Sequence, residues 1–160
     1  PIQSAIERPT QPLLACGLKP GPTFAGVWDS AGLGCPTTAQ TDATTAYERF
    51  ERGWMLWRKD NDRIYAFFDG GEYRSFVLPP DEPRPEFSCP EAESLGNPRL
   101  GFGRIWCNDL DVRQRLGKPL TPEVAAIWPL QDFAGGFMLY LAQQNDVVAA
   151  YHSGQWAVAR

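Results

Sequence analysis

Between Phe50 and Phe76 the chain reads FERGWMLWRKDNDRIYAFFDGGEYRSF, short apolar runs broken by polar and glycine-rich turns. Residues 54–58, 63–68 and 72–77 have the length and the aromatic, aliphatic make-up of strands. Lys59-Asp60-Asn61-Asp62 between the first two is an Asp/Asn turn. Asp69-Gly70-Gly71 between the last two is a glycine hairpin turn. The pattern predicts a three-stranded antiparallel meander. Its alternation sets Trp54 and Leu56 against Met55 and Trp57, and Ile64, Ala66 and Phe68 against Tyr65 and Phe67. Both faces are apolar, so both require cover: a helix on one, a partner repeat or a ligand on the other.

The pattern recurs without a gap from Phe133 to Ala159, 83 residues on (Phe50 to Phe133). Phe50, Gly53, Met55, Leu56, Ala66 and Gly71 meet Phe133, Gly136, Met138, Leu139, Ala149 and Gly154. An internal repeat constrains architecture more than any single motif does. Upstream of each copy lies an i, i+3, i+4 apolar triplet, Phe24-Val27-Trp28 and Phe102-Ile105-Trp106, one face of a short helix. The second helix continues through Leu110, Val112, Arg113 and Leu116 to a stop at Gly117. Thirteen residues then separate Pro36 from Phe50 and Pro119 from Phe133, and read as loops of fixed reach, with a brief helix in TPEVAAIW of the second. The expected fold is α+β and β-rich: two tandem repeats, each a short helix followed by a three-stranded antiparallel β-meander. A proline-rich N-terminal arm (1–23) precedes repeat 1 (24–76), and a proline-rich connector (77–101) precedes repeat 2 (102–160).

Composition narrows the function class. A formal net charge of −4 gives no basic footprint for nucleic acid, and no apolar run is long enough for a membrane-spanning helix. Beginning at Pro1, the sequence reads as a processed or excised piece. Cys16 and Cys35 are 19 apart and Cys89 and Cys107 are 18 apart, which suits one disulfide per repeat in an oxidising, extracellular setting. Each would contribute about 3 kcal/mol; other pairings, or four buried thiols, are the alternatives.

Leu33-Gly34-Cys35-Pro36, a variable loop, then Phe50-x-x-Gly53-Trp54-Met55-Leu56-Trp57 resembles the LGFP repeat of secreted bacterial cell-envelope proteins. Leu116-Gly117-Lys118-Pro119 and Phe133-x-x-Gly136-Phe137-Met138-Leu139-Tyr140 supply a second, degenerate copy. The resemblance implies a non-catalytic extracellular module that binds cell-wall or envelope polysaccharide. Aromatic rings whose faces can meet sugar C–H groups are the matching candidates: Trp54, Trp57, Tyr73, Tyr140 and Trp156, with Tyr73 and Trp156 favoured as lying on end strands. The competing reading of each is a core residue. The alternative function is a structural subunit of a surface assembly or filament, joined to copies of itself by the N-terminal arm and the apolar sheet faces. No catalytic motif, cofactor signature or metal-ligand spacing stands out; Asp60-Asn61-Asp62 lacks the glycine and terminal glutamate of an EF-hand loop.

Overall fold

A computed structural model describes residues 15–77 and 100–160. In chain order these form α1 (Trp28–Ala31), β1 (Thr41–Phe50), β2 (Gly53–Arg58), β3 (Arg63–Phe68), β4 (Glu72–Val77), α2 (Leu100–Asn108), α3 (Leu110–Leu116), β5 (Val124–Phe133), β6 (Gly136–Leu141), β7 (Asp146–Tyr151) and β8 (Trp156–Ala159). All eight strands join one antiparallel sheet in the order β4-β3-β2-β1-β5-β6-β7-β8. The protein is β-rich with a few short helices, as the pattern predicts. Residues 1–14, Cys89 and most of the expected connector lie outside the described residues.

The expected meanders appear as β2–β4 and β6–β8, but each has a fourth strand in front of it. The two segments expected to be loops, including the brief helix over 121–128, are the ten-residue strands β1 and β5. They pair with each other from Thr41↔Leu130 to Tyr47↔Val124 and form the centre of the sheet. Alternation is hard to see in TDATTAYERF because one face is carried by Ala43, Thr45 and Tyr47 and the other by Ala46, Glu48 and Phe50, all buried. Pro129, the residue that argues against a central strand, stands just before the β5–β6 ladder begins at Leu130↔Leu139.

The sheet curls until its two ends meet. Tyr73 N–H donates to the Gly154 carbonyl (2.8 Å) and Trp156 N–H to the Gly71 carbonyl (2.9 Å), flanking a Glu72↔Gln155 bridge. The result is close to a barrel, and its interior is filled by Ala43, Tyr47, Trp54, Leu56, Tyr65, Phe67, Trp128, Leu130 and Phe137, with further apolar groups from β6 and β7. The outer faces are covered by the helices, in a crossed arrangement. Phe102, Ile105, Trp106, Val112 and Leu116 of α2 and α3 pack on Phe50, Met55, Ile64 and Phe68 of β1–β3. Phe24, Ala31 and Leu33 at α1 pack on Phe133, Met138 and Ala149 of β5–β7. The helices thus cover part of the outer face, each lying on strands from the other end of the chain, while Thr44 and Ile127 at the centre stay exposed.

Backbone bonds fix the crossing. Arg52 N–H donates to the Leu116 carbonyl (2.9 Å) and Glu51 N–H to Lys118 (3.0 Å). Reciprocally, Gly135 N–H donates to Leu33 (2.8 Å) and Ala134 N–H to Cys35 (2.9 Å). Each Leu-Gly-x-Pro therefore docks on the Phe-x-x-Gly turn of the other half. The glycines of those turns are required by close approach: a Cβ on Gly53 would collide with the Phe67 carbonyl oxygen, and one on Gly136 with that of Ala150.

The Cys16–Cys35 disulfide is formed and ties the chain before α1 to the segment after it. Cys107 is also disulfide-bonded; its expected partner, Cys89, lies outside the described residues. No helix among the described residues is long and apolar enough to cross a membrane.

Candidate functional site

The five aromatic residues singled out by the sequence separate into two groups. Trp54 points into the barrel, is only 2% exposed, and stacks on Phe67 at 3.8 Å between ring centroids. Trp156 meets both rings edge-on at 5.8 Å. Tyr73 leans on Phe67 at 5.3 Å. The end strands carrying Tyr73 and Trp156 close on each other, and the two side chains are used in that closure: Tyr73 Oη–H donates to the Tyr151 carbonyl (2.6 Å), and Trp156 Nε1–H to the Phe68 carbonyl (2.8 Å). A sugar platform needs a ring face turned to solvent; Trp54 is turned fully inward, and Tyr73 and Trp156, half-buried, pack against the same interior cluster.

Trp57 and Tyr140 lie on the outer faces of β2 and β6 and are half-buried. They stand 83 residues apart and are held alike. Trp57 Nε1–H donates to Asp62 Oδ1 (2.8 Å), and Tyr140 Oη–H to Asn145 Oδ1 (2.6 Å). Asp62 and Asn145 are the described non-glycine residues with positive φ, at 52° and 51°, a left-handed turn conformation in which Asp and Asn are enriched. The turn thus aims a carboxylate or amide oxygen back at the ring and fixes its orientation. This pairing was half legible: the residues were visible as aromatics, but the turn side chain that pins each one was not.

Asp60-Asn61-Asp62, the oxygen-rich turn of β2–β3, is occupied by the protein itself. Asp60 accepts from the Arg58 guanidinium (2.6 and 3.0 Å), Asn61 donates to Tyr65 Oη (2.9 Å), and Asp62 holds Trp57. Arg58, 2% exposed inside the barrel, also bonds Asp132 of β5 (3.0 and 3.2 Å) and lies over the Phe137 ring at 4.8 Å. Burial pulls the guanidinium toward the neutral form. The bonds to Asp60 and Asp132 outweigh it, so its pKa moves up, while the bond to Arg58 holds the Asp60 carboxyl below its ordinary value. Saturated in this way, Arg58 is an internal tie between the halves of the sheet.

One carboxylate that reads in the sequence as solvated surface is buried in the fold. Glu48, on the outer face of β1, is 0% exposed, and neither carboxyl oxygen has a hydrogen-bond partner. Burial first, then the Glu123 carboxylate, push its pKa up to about 8, so it is protonated at neutral pH. Eighty-three residues on, equally buried Gln131 has every polar atom engaged: Oε1 accepts from Gly21 N–H (2.8 Å), and Nε2 donates to the Lys19 and Thr38 carbonyls (3.1 and 2.9 Å). Among the described residues no group of three or more His, Cys, Asp or Glu side chains is placed to hold a metal ion.

Comparison with known proteins finds no matching family model, no matching curated protein and no matching solved structure.

Proposed function

We propose that this chain is a non-catalytic binding module of the extracellular bacterial cell envelope, built from two copies of one unit, and that it engages envelope polysaccharide through Trp57 and Tyr140. The observation carrying this reading is the pinning of both rings, 83 residues apart, by side chains of left-handed turns. A ring already fixed in direction loses little freedom when a sugar stacks on it, so less of the stacking energy is spent on ordering. The Cys16–Cys35 disulfide suits an oxidising compartment. Retention of the protein on insoluble cell-wall glycan, followed by titration with soluble fragments, tests the reading. Tyr140→Ala should weaken binding about tenfold, the share of ~1.4 kcal/mol, and Asn145→Ala should weaken it less. Absence of retention on any cell-wall glycan by the unaltered chain overturns it.

Ile127 favours a second reading, a structural subunit that meets copies of itself through a sheet face. It lies on β5, one of the two central strands, is 69% exposed, and faces exposed Thr44 of β1. A large apolar side chain left open at the centre of a sheet is a candidate contact point. Sedimentation velocity of the parent and of Ile127→Asp separates the readings: a self-associating parent and a monomeric variant support assembly, and a monomeric parent at high concentration excludes it.

A further inference from the structure

The crossed packing has a consequence for association. Nearly everything that joins residues 15–77 to residues 100–160 is an exchange between halves. β1 pairs with β5, α2 and α3 cover the outer face of β1–β3, and α1 covers that of β5–β7. Each Leu-Gly-x-Pro docks on the other half's Phe-x-x-Gly turn, Arg58 reaches Asp132, and Tyr73 and Trp156 close the two ends of the sheet. The described disulfide with both cysteines placed, Cys16–Cys35, lies within the first half and does not join it to the second. The covalent link between the halves is the 22-residue stretch 78–99, which contains Pro79, Pro80, Pro83, Pro85, Pro90 and Pro98.

From this we infer that the chain forms an exchanged dimer, in which the first half of one copy closes on the second half of another and the reverse. The partner is a second copy of this chain, and the surface that binds it is the same surface that closes the monomer. Every contact named above is recovered in the dimer, so the balance rests on the connection and on concentration. A connection of 22 residues gives an effective concentration on the order of millimolar, so the protein concentration decides between the two forms. Folding in dilute solution therefore gives monomer, and folding near millimolar concentration gives exchanged dimer. Separating the halves means unpairing β1 from β5 and stripping both helix layers, so dimer and monomer interconvert only through unfolding and are separable once formed. The inference does not rest on Trp57, Tyr140 or Ile127 as binding groups, so glycan binding can fail without affecting it.

Thr44 and Ile127 face each other across the β1–β5 ladder. The Thr44 carbonyl is turned the other way, where it accepts from Lys59 N–H (3.1 Å), and facing residues of such a non-hydrogen-bonded pair have Cα atoms about 4.5 Å apart. Cysteines placed there are close enough to bridge. The test is to unfold the full-length Thr44→Cys/Ile127→Cys chain with native disulfides intact, refold it at micromolar and near-millimolar concentration, oxidise it, and separate the products by size. Monomer carrying an intrachain bridge is expected from dilute refolding. Dimer carrying interchain bridges, covalent on a non-reducing gel, is expected from concentrated refolding. Monomer alone at both concentrations overturns the inference, as does a dimer whose bridges are intrachain, which would be docked and not exchanged.

Discussion

Tyr73 and Trp156, 83 residues apart, close the sheet on each other with matching sets of bonds. Each backbone N–H reaches a glycine carbonyl on the opposite hairpin, Gly154 or Gly71, and each side-chain donor reaches the carbonyl at the end of the opposite strand, Tyr151 or Phe68. A tyrosine hydroxyl and an indole N–H thus do one job from equivalent positions. Closure also removes the exposed edges that a flat eight-stranded sheet would present to other chains.

Tyr73→Phe isolates one of these bonds. The ring and its packing on Phe67 remain, and the Tyr151 carbonyl loses a donor. The loss should be about 1 kcal/mol, read as a lower urea midpoint with unchanged slope, since the fold stays closed. Hydrogen exchange should speed up at the Tyr73 and Trp156 amides and remain slow at the β1–β5 centre. Uniform acceleration across the sheet would show that the ends do not open separately.

Arg58 and Asp132 join opposite halves inside the barrel. Removing the carboxylate by Asp132→Ala leaves a buried guanidinium with Asp60 as its remaining ion partner, and should cost about 2 kcal/mol, below the 3–5 kcal/mol of a fully orphaned buried charge. Arg58→Met removes the charge along with its demand and should cost less when made on top of Asp132→Ala than when made alone. Denaturant melts of the parent, both single variants and the double variant give the coupling. Additive losses would show that the pair does not act as a tie.

Much of this architecture was legible because periodicity two survives in β2–β4 and β6–β8, where Asp-Asn and glycine turns punctuate aromatic strands. β1 and β5 were not legible. Thr and Ala carry their alternation weakly, a protonated Glu48 occupies a buried position that reads as surface, and Pro129 looks like a strand breaker. The crossing of the helices was also hidden. Leu33-Gly34 and Leu116-Gly117 carry the same motif, as do the Phe50 and Phe133 turns, so sequence alone cannot say which docks on which. Tyr73 and Trp156 were expected at an open edge because a linear sequence has end strands, whereas a curled sheet need not. At the candidate site, Trp57 and Tyr140 could be read as aromatics, but their likeness depends on the left-handed Asp62 and Asn145, which only the folded turn displays.

Gly53 tests how tightly the motif constrains the fold. With φ at 155° and the Phe67 carbonyl where a Cβ would sit, Gly53→Ala must shift the β2–β3 ladder at its first pair. A loss of about 3 kcal/mol or more is expected, with the same result for Gly136→Ala against the Ala150 carbonyl. Gly26, with open space around its Cβ position, is the control and should change by less than about 1 kcal/mol on replacement by Ala. Thermal melts of the three variants check the ranking, and equal losses would remove close approach as the reason for the two glycines.

Glu48 sets the pH dependence. Its pKa rises from the ordinary 4.5 to about 8 in the fold, through burial and then the charge of Glu123. Between those values the folded chain keeps a proton that the unfolded chain has lost, so the fold binds more protons and stability falls as pH rises. The loss begins near pH 4.5, reaches about 3 kcal/mol by pH 7, and levels off above pH 8, where both states are ionised. Glu48→Gln retains the shape and cannot ionise. Its stability relative to the parent should therefore climb across that window and then stay constant, and Glu123→Gln should move the upper end of the window downward. Urea midpoints at pH 4.5, 6, 7.5 and 9 measure the difference directly. Parallel pH curves for parent and Glu48→Gln would mean that the buried carboxyl finds a partner when it ionises.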